Sequence, residues 1–501
     1  MLKFNILKKP SIARLLALPS FFISFCLLAF LLSACSQTKK AIAPEFSESE
    51  WRPGGLTTVM PVKHIRFDLP AANLPMHLKT QFHAGKALAQ QPWIKAPTIT
   101  TSRDGLGPLY NARTCLACHV KGGKGSMPSD ANTPLFSSLI RLSKAGDHKI
   151  QGVMAHPVYG DQIQTQSTSL AHQLRHLPTA KSLEQDVKPE AYVYIKWGHK
   201  TFTYPDQHQV NLRTPVLELR NLNYGPIGTD TLLSIRVAPS IHGMGLIDLI
   251  PQAHITNLAD ELDADKNGIS GRVNHVWDIT KQASVPGRYG LKANKPTLAM
   301  TVAGAFANDL GISNPLFPMQ PCTNSQTKCQ QAASGNDKEG FELTQQQLGL
   351  VIDFNRNLAP VKARNLTDSE VLKGRELFYQ TGCQNCHQPN FKTAKSTLAP
   401  HLSAQTIWPY SDFLLHDLGT DLADHRPDFE ANGQEWRTAP LWGVGLQEKV
   451  NGSKALLHDG RAQSIEEAIL WHGGEALKAK NTFIHLNKSE RENLSLFVNA
   501  I

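Results

Sequence analysis

The sequence has none of the motifs that mark common nucleotide-dependent and hydrolytic enzymes. Its 501 residues contain no Walker-type phosphate loop, no dinucleotide-binding fingerprint and no nucleophile elbow. No basic run is interleaved with aromatic residues, so we expect no nucleic-acid partner. Of the net charge of +9, four positive charges lie in the first 34 residues, so the rest of the chain is only moderately basic.

The N-terminus predicts a bacterial lipoprotein signal peptide over residues 1–34. Basic residues precede an apolar stretch, which ends in a Leu-Ser-Ala-Cys sequence at Cys35. A diacylated Cys35 would anchor the protein stably to a membrane. Ser36 after the lipid site favours the outer membrane, with the protein on its periplasmic side. The alternative is a permanent transmembrane anchor, which needs about 17 to 25 residues.

Cysteine is scarce, and each of the eight residues has a predicted role. Cys26 lies in the predicted leader, and Cys35 is the predicted lipid site. Cys322 and Cys329 are expected to form a disulfide in an oxidising compartment. A metal-binding or redox pair is the alternative, although no histidine lies near them in the sequence.

The other four cysteines belong to two Cys-x-x-Cys-His motifs, which are the attachment signature of c-type haem. In this chemistry the two thiols add across the porphyrin vinyl groups, and the histidine ligates the iron. Two copies in an exported chain predict two covalently bound haem c groups. The predicted haem-binding residues of the two motifs are Cys115, Cys118 and His119, and Cys383, Cys386 and His387.

We predict a mainly α fold with two cytochrome c-like haem domains, of which the N-terminal one is enlarged by irregular and short β insertions. Capping boxes that begin at Thr367, Ser464 and Ser489 precede apolar residues at helical spacing. Alternation over residues 192–204 predicts a hairpin that turns around Gly198. The predicted divisions are a signal peptide (1–34), a tether (35–60), an N-terminal haem domain with insertions (61–355) and a C-terminal cytochrome c domain (356–501).

Two segments of the chain echo each other. An Arg-Val-Ala-Pro sequence from Arg236 precedes Gly-Met-Gly-Leu, and an Arg-Thr-Ala-Pro sequence from Arg437 precedes Gly-Val-Gly-Leu. Each copy follows its own haem motif, which favours related haem-binding units over a coincidence between loops. Arg236 and Arg437 are candidate partners of haem propionates, because guanidinium pairs bidentately with carboxylate. The alternative is that both arginines are surface residues.

Residues 263–269 fit the opening of a calcium-binding loop, with side-chain oxygens at alternate positions and a glycine at the turn. The candidate Ca²⁺ ligands are Asp263, Asp265, Asn267 and the carbonyl of Ile269. Asn274 occupies the twelfth position in place of a bidentate glutamate, and Asp260 or Asp278 would complete the shell. The alternative is a solvated acidic turn stabilised by Asx hydrogen bonds.

Longer segments resemble a known family. These segments are Tyr110–Arg113, Pro157–Gly160, Arg236–Pro239, Asp263–Gly271, Trp436–Leu446, Leu457–Arg461 and Trp471–Gly474. They resemble the bacterial di-haem oxidoreductase family, whose members are often labelled thiol oxidoreductases, over nearly all of the mature chain. More distantly, the chain looks like di-haem cytochrome c peroxidases and the related di-haem enzyme of methylamine utilisation.

The wider group implies a distal ligand for the second haem. That ligand lies fourteen positions after the histidine of a His-[Asp/Ser]-Gly segment, and counting from His458 gives His472. The peroxidases have methionine there, and the methylamine enzyme has tyrosine. Independently, Ile465, Ala468, Ile469 and His472 fall on one helical face. We therefore predict a haem ligated by His387 and His472, with a buried structural histidine as the alternative.

No comparable ligand is found for the first haem, which predicts an open iron able to bind peroxide or dioxygen. The conceivable sixth ligands are Met127, His148, His156, His242 and Met244. The predicted function is a peroxidase-like oxidoreductase that receives electrons from a periplasmic donor protein or small cytochrome. The alternatives are a pure electron carrier, or oxidation of thiols or of a partner's side chain. No free dithiol supports the thiol label, and the sequence does not identify the catalytic acid or base.

Overall fold

The computed structural model describes residues 42–60, 64–169 and 187–501. The predicted leader, the predicted lipid site at Cys35 and the start of the predicted tether lie outside these ranges. No helix within them is long and apolar enough to cross a membrane. Residues Glu48–Trp51 form a 3₁₀ turn, and the buried carboxylate of Glu50 pairs with Arg375 at 2.9 Å.

Helices account for 29% of the described residues and strands for 18%. The predicted mainly α class is therefore wrong, and two separate cytochrome c-like domains are not shown. One apolar cluster runs from Val59 to Val450 and draws on both motif-bearing halves of the chain. The prediction failed because it treated the β structure of the middle region as short insertions, whereas that region contains a hairpin of two 12-residue strands.

The helices in the described ranges are α1 (Met76–Gln90), α2 (Cys115–Cys118), α3 (Met244–Asp248), α4 (Gln252–Thr256), α5 (Leu298–Asp309), α6 (Thr327–Gln330), α7 (Gln345–Arg356), α8 (Ser369–Gln380), α9 (Gln447–Asn451), α10 (Ile465–Trp471), α11 (Leu477–Ile484) and α12 (Lys488–Ala500). The Ser464 hydroxyl caps α10 as predicted, by accepting from the amide of Glu467. In contrast, Asn487 and Glu490 form the capping box of α12, so this helix begins one residue before the predicted cap, Ser489. Asp368 precedes α8 without any side-chain cap, so the box predicted at Thr367 does not form.

The strands are short, with one exception, and all pair in two-stranded sheets within the described chain. They are β1 (Ile94–Lys95), β2 (Asp104–Leu106), β3 (Leu109–Tyr110), β4 (Ser138–Ser143), β5 (Gln166–Ser167), β6 (Tyr192–Thr203), β7 (Gln209–Arg220), β8 (Leu232–Val237), β9 (His275–Asp278), β10 (Ala283–Pro286), β11 (Phe391–Lys392), β12 (Thr406–Ile407), β13 (Leu415–Asp417) and β14 (Glu435–Arg437). The pairs are β1·β2 (parallel), β3·β5, β4·β8, β6·β7, β9·β10, β11·β12 and β13·β14.

The exception is the long antiparallel hairpin of β6 and β7. The chain does not turn at Gly198 as predicted, because Gly198 pairs with Thr214 inside the ladder, and the turn follows Tyr204. Near its tip, Tyr204 and Leu212 join the apolar cluster formed by the C-terminal helices. The Tyr204 hydroxyl lies 2.9 Å from a carboxylate oxygen of Glu466. The hairpin therefore connects the N-terminal half of the chain to the C-terminal half.

A pair of crossed helices occurs twice. Helix α1 packs on α7 where a Cβ on Gly85 would lie 2.0 Å from the carbonyl oxygen of Leu350. Helix α8 packs on α12 in the same way, since a Cβ on Gly374 would lie 1.9 Å from the carbonyl oxygen of Asn493. Only glycine permits such a close backbone approach. One helix of each pair precedes a Cys-x-x-Cys-His motif in the sequence, since α1 precedes the first motif and α8 the second.

The two echoing segments dock on equivalent ends of these helix pairs. The amide of Gly243 donates to the carbonyl of Leu358 at 2.8 Å, just beyond α7. The amide of Gly443 donates to the carbonyl of Ile501 at 2.9 Å, just beyond α12. The sequence echo therefore corresponds to a repeated packing arrangement.

We expect Gly374→Ala to destabilise the protein by about 1 to 3 kcal/mol, because the added methyl group must push α8 away from α12. Gly349→Ala on α7 is the control, because no atom lies within 4 Å of its added Cβ. That change should stabilise the protein by about 0.5 to 1 kcal/mol through helix propensity. Thermal unfolding measures both, and equal effects at the two sites would contradict the close packing.

Candidate haem sites

The first motif forms the short helix α2 and the residue that follows it. The Thr114 hydroxyl caps α2 by accepting from the amide of Ala117 at 3.0 Å. Nδ1 of His119 donates to the carbonyl oxygen of Pro239 at 2.7 Å. This hydrogen bond places the proton on Nδ1 and leaves the lone pair on Nε2. Burial lowers the pKa of His119, so the imidazole is neutral and able to bind a metal.

The second motif makes the same arrangement from different elements. Cys383–Asn385 form a 3₁₀ turn, and Nδ1 of His387 donates to the carbonyl oxygen of Tyr410 at 2.9 Å. Burial is the main cause that lowers the pKa of His387 to about 4, and His472 makes a smaller contribution in the same direction. His387 therefore also has a neutral ring with a free Nε2.

All four motif cysteines are free thiols, in contrast to Cys322 and Cys329, which are joined in a disulfide. Burial raises the pKa of the Cys115 thiol to about 12 and that of the Cys383 thiol to about 11, so both are uncharged. A c-type haem needs two free thiols and a neutral imidazole with an unused nitrogen. Both sites supply these groups, and the residues fit the cofactor.

His472 lies within electrostatic range of His387, whose pKa it lowers. His472 is the C-cap of α10, and its Nδ1 donates to the carbonyl oxygen of Ala468 at 2.6 Å. Burial lowers its pKa, so it is a neutral ring with a free Nε2, like the two motif histidines. Ligation of the second iron by His472 remains a prediction that this geometry suits.

The other candidate histidines have different environments. Both ring nitrogens of His156 are used, because Nδ1 accepts two backbone amides and Nε2 donates to the carbonyl of Ile227 at 3.0 Å. His148 is exposed in a turn, where its Nδ1 accepts from the amide of Gln151. His242 packs 4.1 Å from the ring of Phe67 and donates from Nε2 to the carbonyl of Trp442 at 3.2 Å.

The two candidate methionines are partly buried. The Met127 sulfur accepts from the hydroxyl of Ser138 at 3.3 Å. The carbonyl of Met244 accepts from the hydroxyl of Tyr289 at 2.8 Å, at the start of α3. Of the five conceivable sixth ligands of the first iron, His242 comes nearest to the arrangement of His472, because burial lowers its pKa to about 4 and its Nδ1 has no hydrogen-bond partner among the described residues. Unlike His472, it does not follow the end of a helix.

Asp309, at the end of α5, is a buried acid that sequence reasoning missed. Its negative charge raises the pKa of both Cys115 and Cys118, which places the carboxylate beside the first motif. Nε2 of Gln162 donates to Asp309 Oδ1 at 2.9 Å, and burial raises the pKa of the acid. No signal in the sequence marks Asp309, because it closes an otherwise apolar helix.

The two predicted propionate partners have different environments. Arg236 is buried and pairs with Asp428 at 2.8 Å and with Asp424 at 3.6 Å, so its charge is already balanced. Arg437 donates only to the carbonyls of Gly290 at 2.8 Å and Thr438 at 3.0 Å, and no carboxylate among the described residues pairs with it. Burial lowers its pKa to about 10. Arg437 therefore suits a propionate better than Arg236 does.

In the calcium-like loop, the carboxylates of Asp260, Asp263 and Asp265 lie within 4.8 Å of one another. They accept backbone amides of their own loop, for example from Gly268 to Asp263 at 3.1 Å. Asn274 is buried elsewhere, where its amide donates to the carbonyls of Lys292 and Asp428. Asp278 binds Thr280 and Lys281 instead of the loop. These contacts match the solvated acidic turn, and Ca²⁺ binding at this loop remains a prediction.

His416, on β13, is a second buried group that sequence reasoning missed. Its Nε2 donates to Asp412 at 2.8 Å and its Nδ1 donates to Glu475 at 2.6 Å. The carboxylates raise the pKa of His416 well above its usual value, so the ring is a cation. Its Nδ1 lies 3.7 Å from the sulfur of Cys386.

Two such sites in one chain are the arrangement expected of a di-haem protein. A family model described as "Di-haem oxidoreductase, putative peroxidase" matches residues 49–501. The chain therefore belongs to the di-haem oxidoreductase family, which confirms the resemblance seen in the sequence. Searches of curated proteins and of solved structures find no match.

We expect the mature protein to carry the mass of two covalently attached haem groups. Replacing Cys383 and Cys386 by serine should remove one of them, because the thioether bonds cannot form. Replacing Cys322 and Cys329 by serine should leave both, since the disulfide lies outside the motifs. Mass spectrometry under denaturing conditions measures the attached mass, and an unmodified chain would contradict covalent attachment.

We expect His472→Ala to convert the second iron from a low-spin to a high-spin state, as seen by electron paramagnetic resonance. His485→Ala is a matched control, because His485 caps α11 through the same bond, from Nδ1 to the carbonyl of Asn481 at 2.7 Å. The control should keep the wild-type spectrum. An unchanged spectrum in His472→Ala would show that this histidine is structural.

Proposed function

We propose that this protein is a peroxidase-like di-haem oxidoreductase, in which the second haem passes electrons to an open first haem. One observation carries the proposal. His472 interacts electrostatically with His387 and keeps its Nε2 free, whereas none of the five candidate ligands, all of them within the described ranges, shows such an interaction with His119. A closed iron suits electron transfer, and an open iron suits reaction with a small oxidant.

When bound, haem supplies the redox chemistry of its iron, and the protein supplies ligation, orientation and protons. Nε2 of His119 and Nε2 of His387 would hold the two irons, and the four motif thiols would fix the porphyrins. The free donors of Arg437 would bind a propionate. The buried surroundings of both sites would keep bulk water away from the metals.

Peroxide reduction consumes two electrons and two protons for each pair of water molecules formed. A buried acid beside the first motif can supply this proton exchange, and Asp309 is the described residue that fits. Its carboxyl group is desolvated, is oriented by Gln162 at 2.9 Å and holds a proton to higher pH than an ordinary aspartate does. We assign to Asp309 the role of general acid and base.

Contacts between the two sites support electron passage. The amide of Phe67 donates to the carbonyl of Lys121, two residues after His119, and the Phe67 ring packs on His242. The His242 ring lies 6.2 Å from that of Trp442. The amide of Leu441, the residue before Trp442, donates to the carbonyl of Pro409. The next residue, Tyr410, provides the carbonyl that accepts from His387. Packed aromatic groups thus connect the two motifs.

The partner and the location follow from the sequence. We propose that a periplasmic donor protein or small cytochrome delivers electrons at the second haem. We also propose that a lipid on Cys35 holds the protein on the periplasmic side of the outer membrane. Two acyl chains are sufficient for stable anchoring.

The proposal predicts that one iron per molecule binds CO in the reduced protein and that peroxide drives oxidation of a reduced donor cytochrome. Asp309→Asn should lower kcat/KM for peroxide by about 10² to 10⁴ and leave CO binding intact, because it removes proton transfer only. In the wild type, activity should fall on the acid side as Asp309 becomes protonated, at a pH above that of an ordinary aspartate.

Asp147→Asn is the control for this change, because Asp147 is exposed in a turn. Asp147→Asn should keep the wild-type kcat/KM for peroxide and the wild-type fall of activity at acid pH. Absence of both CO binding and peroxide turnover would identify the protein as an electron carrier. Normal turnover in Asp309→Asn would remove Asp309 from the mechanism and leave the peroxidase proposal in place.

A further inference from the structure

His416 joins three segments that surround the second motif. Its ring is only 3% exposed and lies between the carboxylates of Asp412 and Glu475, with Cys386 beside it. Both ring nitrogens are therefore engaged, unlike the haem-facing histidines, in which Nε2 is free. A ring whose two nitrogens both donate to carboxylates presents no lone pair to a metal, so a positioning role suits His416 better than ligation.

Asp412 belongs to the segment that holds the proximal ligand. Its amide donates to the carbonyl of Cys386 at 2.9 Å. Two residues earlier, the carbonyl of Tyr410 accepts from His387. The carboxylate of Asp412 then binds His416 at 2.8 Å, so His416 is tied to the proximal side of the second site.

Glu475 belongs to the segment that carries the distal histidine, three residues after His472. Helix α10 ends at Trp471, and its C-cap His472 has extended backbone angles of φ −60° and ψ 141°. The Glu475 carboxylate accepts from His416 at 2.6 Å, from the amide of Asp417 at 3.0 Å and from the amide of Ser270 at 3.1 Å. This carboxylate therefore fastens the chain just beyond the helix end.

The ring of His416 has no room to move back from these partners. The backbone of Gly271 passes directly behind it, and a Cβ on Gly271 would lie 2.4 Å from His416 Cε1. The position of the imidazolium is thus fixed by two charged hydrogen bonds and by a close backbone contact. Charged hydrogen bonds of this type are about twice as strong as neutral ones.

We propose that the chain Asp412–His416–Glu475 positions His472 against His387 and so determines how firmly the second iron is closed. The inference rests on the proposed ligation of that iron by both histidines. Residues that orient a metal ligand typically contribute about tenfold to a hundredfold to metal affinity. Loss of the hydrogen bonds that link Asp412, His416 and Glu475 should therefore release the distal histidine from the second iron. The proximal histidine should stay in place.

The test uses the full-length holoprotein and the variant Glu475→Gln, which keeps the shape of the side chain but removes its charge. We expect the ratio of closed to open second iron to fall by about tenfold to a hundredfold. The low-spin resonance of that haem should weaken, and a second equivalent of CO should bind after reduction. Glu376→Gln is the matched control, because Glu376 is an exposed carboxylate on α8, the helix that leads into the second motif.

Gly271→Ala is an independent variant that should give the same spectral change, because it displaces the His416 ring without altering a charge. It keeps the proposal testable if Glu475→Gln fails to fold. A lower melting temperature with an unchanged spectrum in both variants would overturn the positioning role. His472→Ala distinguishes the two levels: if it leaves the spectrum unchanged, the ligation by two histidines fails. If it opens the iron while Glu475→Gln does not, only the positioning role fails.

Discussion

The function of this protein depends on two hydrogen bonds from imidazole to main-chain carbonyls. Pro239 accepts from His119, and Tyr410 accepts from His387. Each bond fixes which ring nitrogen carries the proton, and each therefore presents a lone pair at Nε2 for a metal. The carbonyls come from segments far away in the sequence, so the metal-binding form of each histidine exists only when the surrounding chain has folded.

The rest of the structure is a scaffold in which a similar packing arrangement occurs twice, once around each motif. The crossed helix pairs, the glycines at their crossing points and the echoing Gly-x-Gly segments recur around the two motifs. The copies are not equivalent, because within the described residues a histidine at a helix end acts electrostatically on His387 and none does so on His119. In the proposed mechanism, this difference separates the electron-transfer site from the substrate-binding site.

The two motifs could be recognised because the attachment signature occupies five consecutive residues. The place of His472 at the end of α10 could be predicted from its helical spacing, while its ligation of iron stays a prediction. The fold class could not be predicted, since the alternation over residues 192–204 indicates a strand but not the length of its hairpin, and pairing between β4 and β8 joins segments far apart in the sequence. Asp309 and His416 were also missed. Tertiary folding brings these two residues together with their partners. A lone acid or histidine in an apolar segment of the sequence therefore does not mark either site.

The β6–β7 hairpin ties the order of synthesis to the completion of folding. Its tip is made early, yet Tyr204 and Leu212 are buried by residues such as Phe483 and Leu494 that are made last. Asp206 at the turn pairs with Arg491, 285 positions later in the chain. Contacts of such long range form slowly. We therefore expect the apolar tip of the hairpin to stay exposed until α12 has been synthesised.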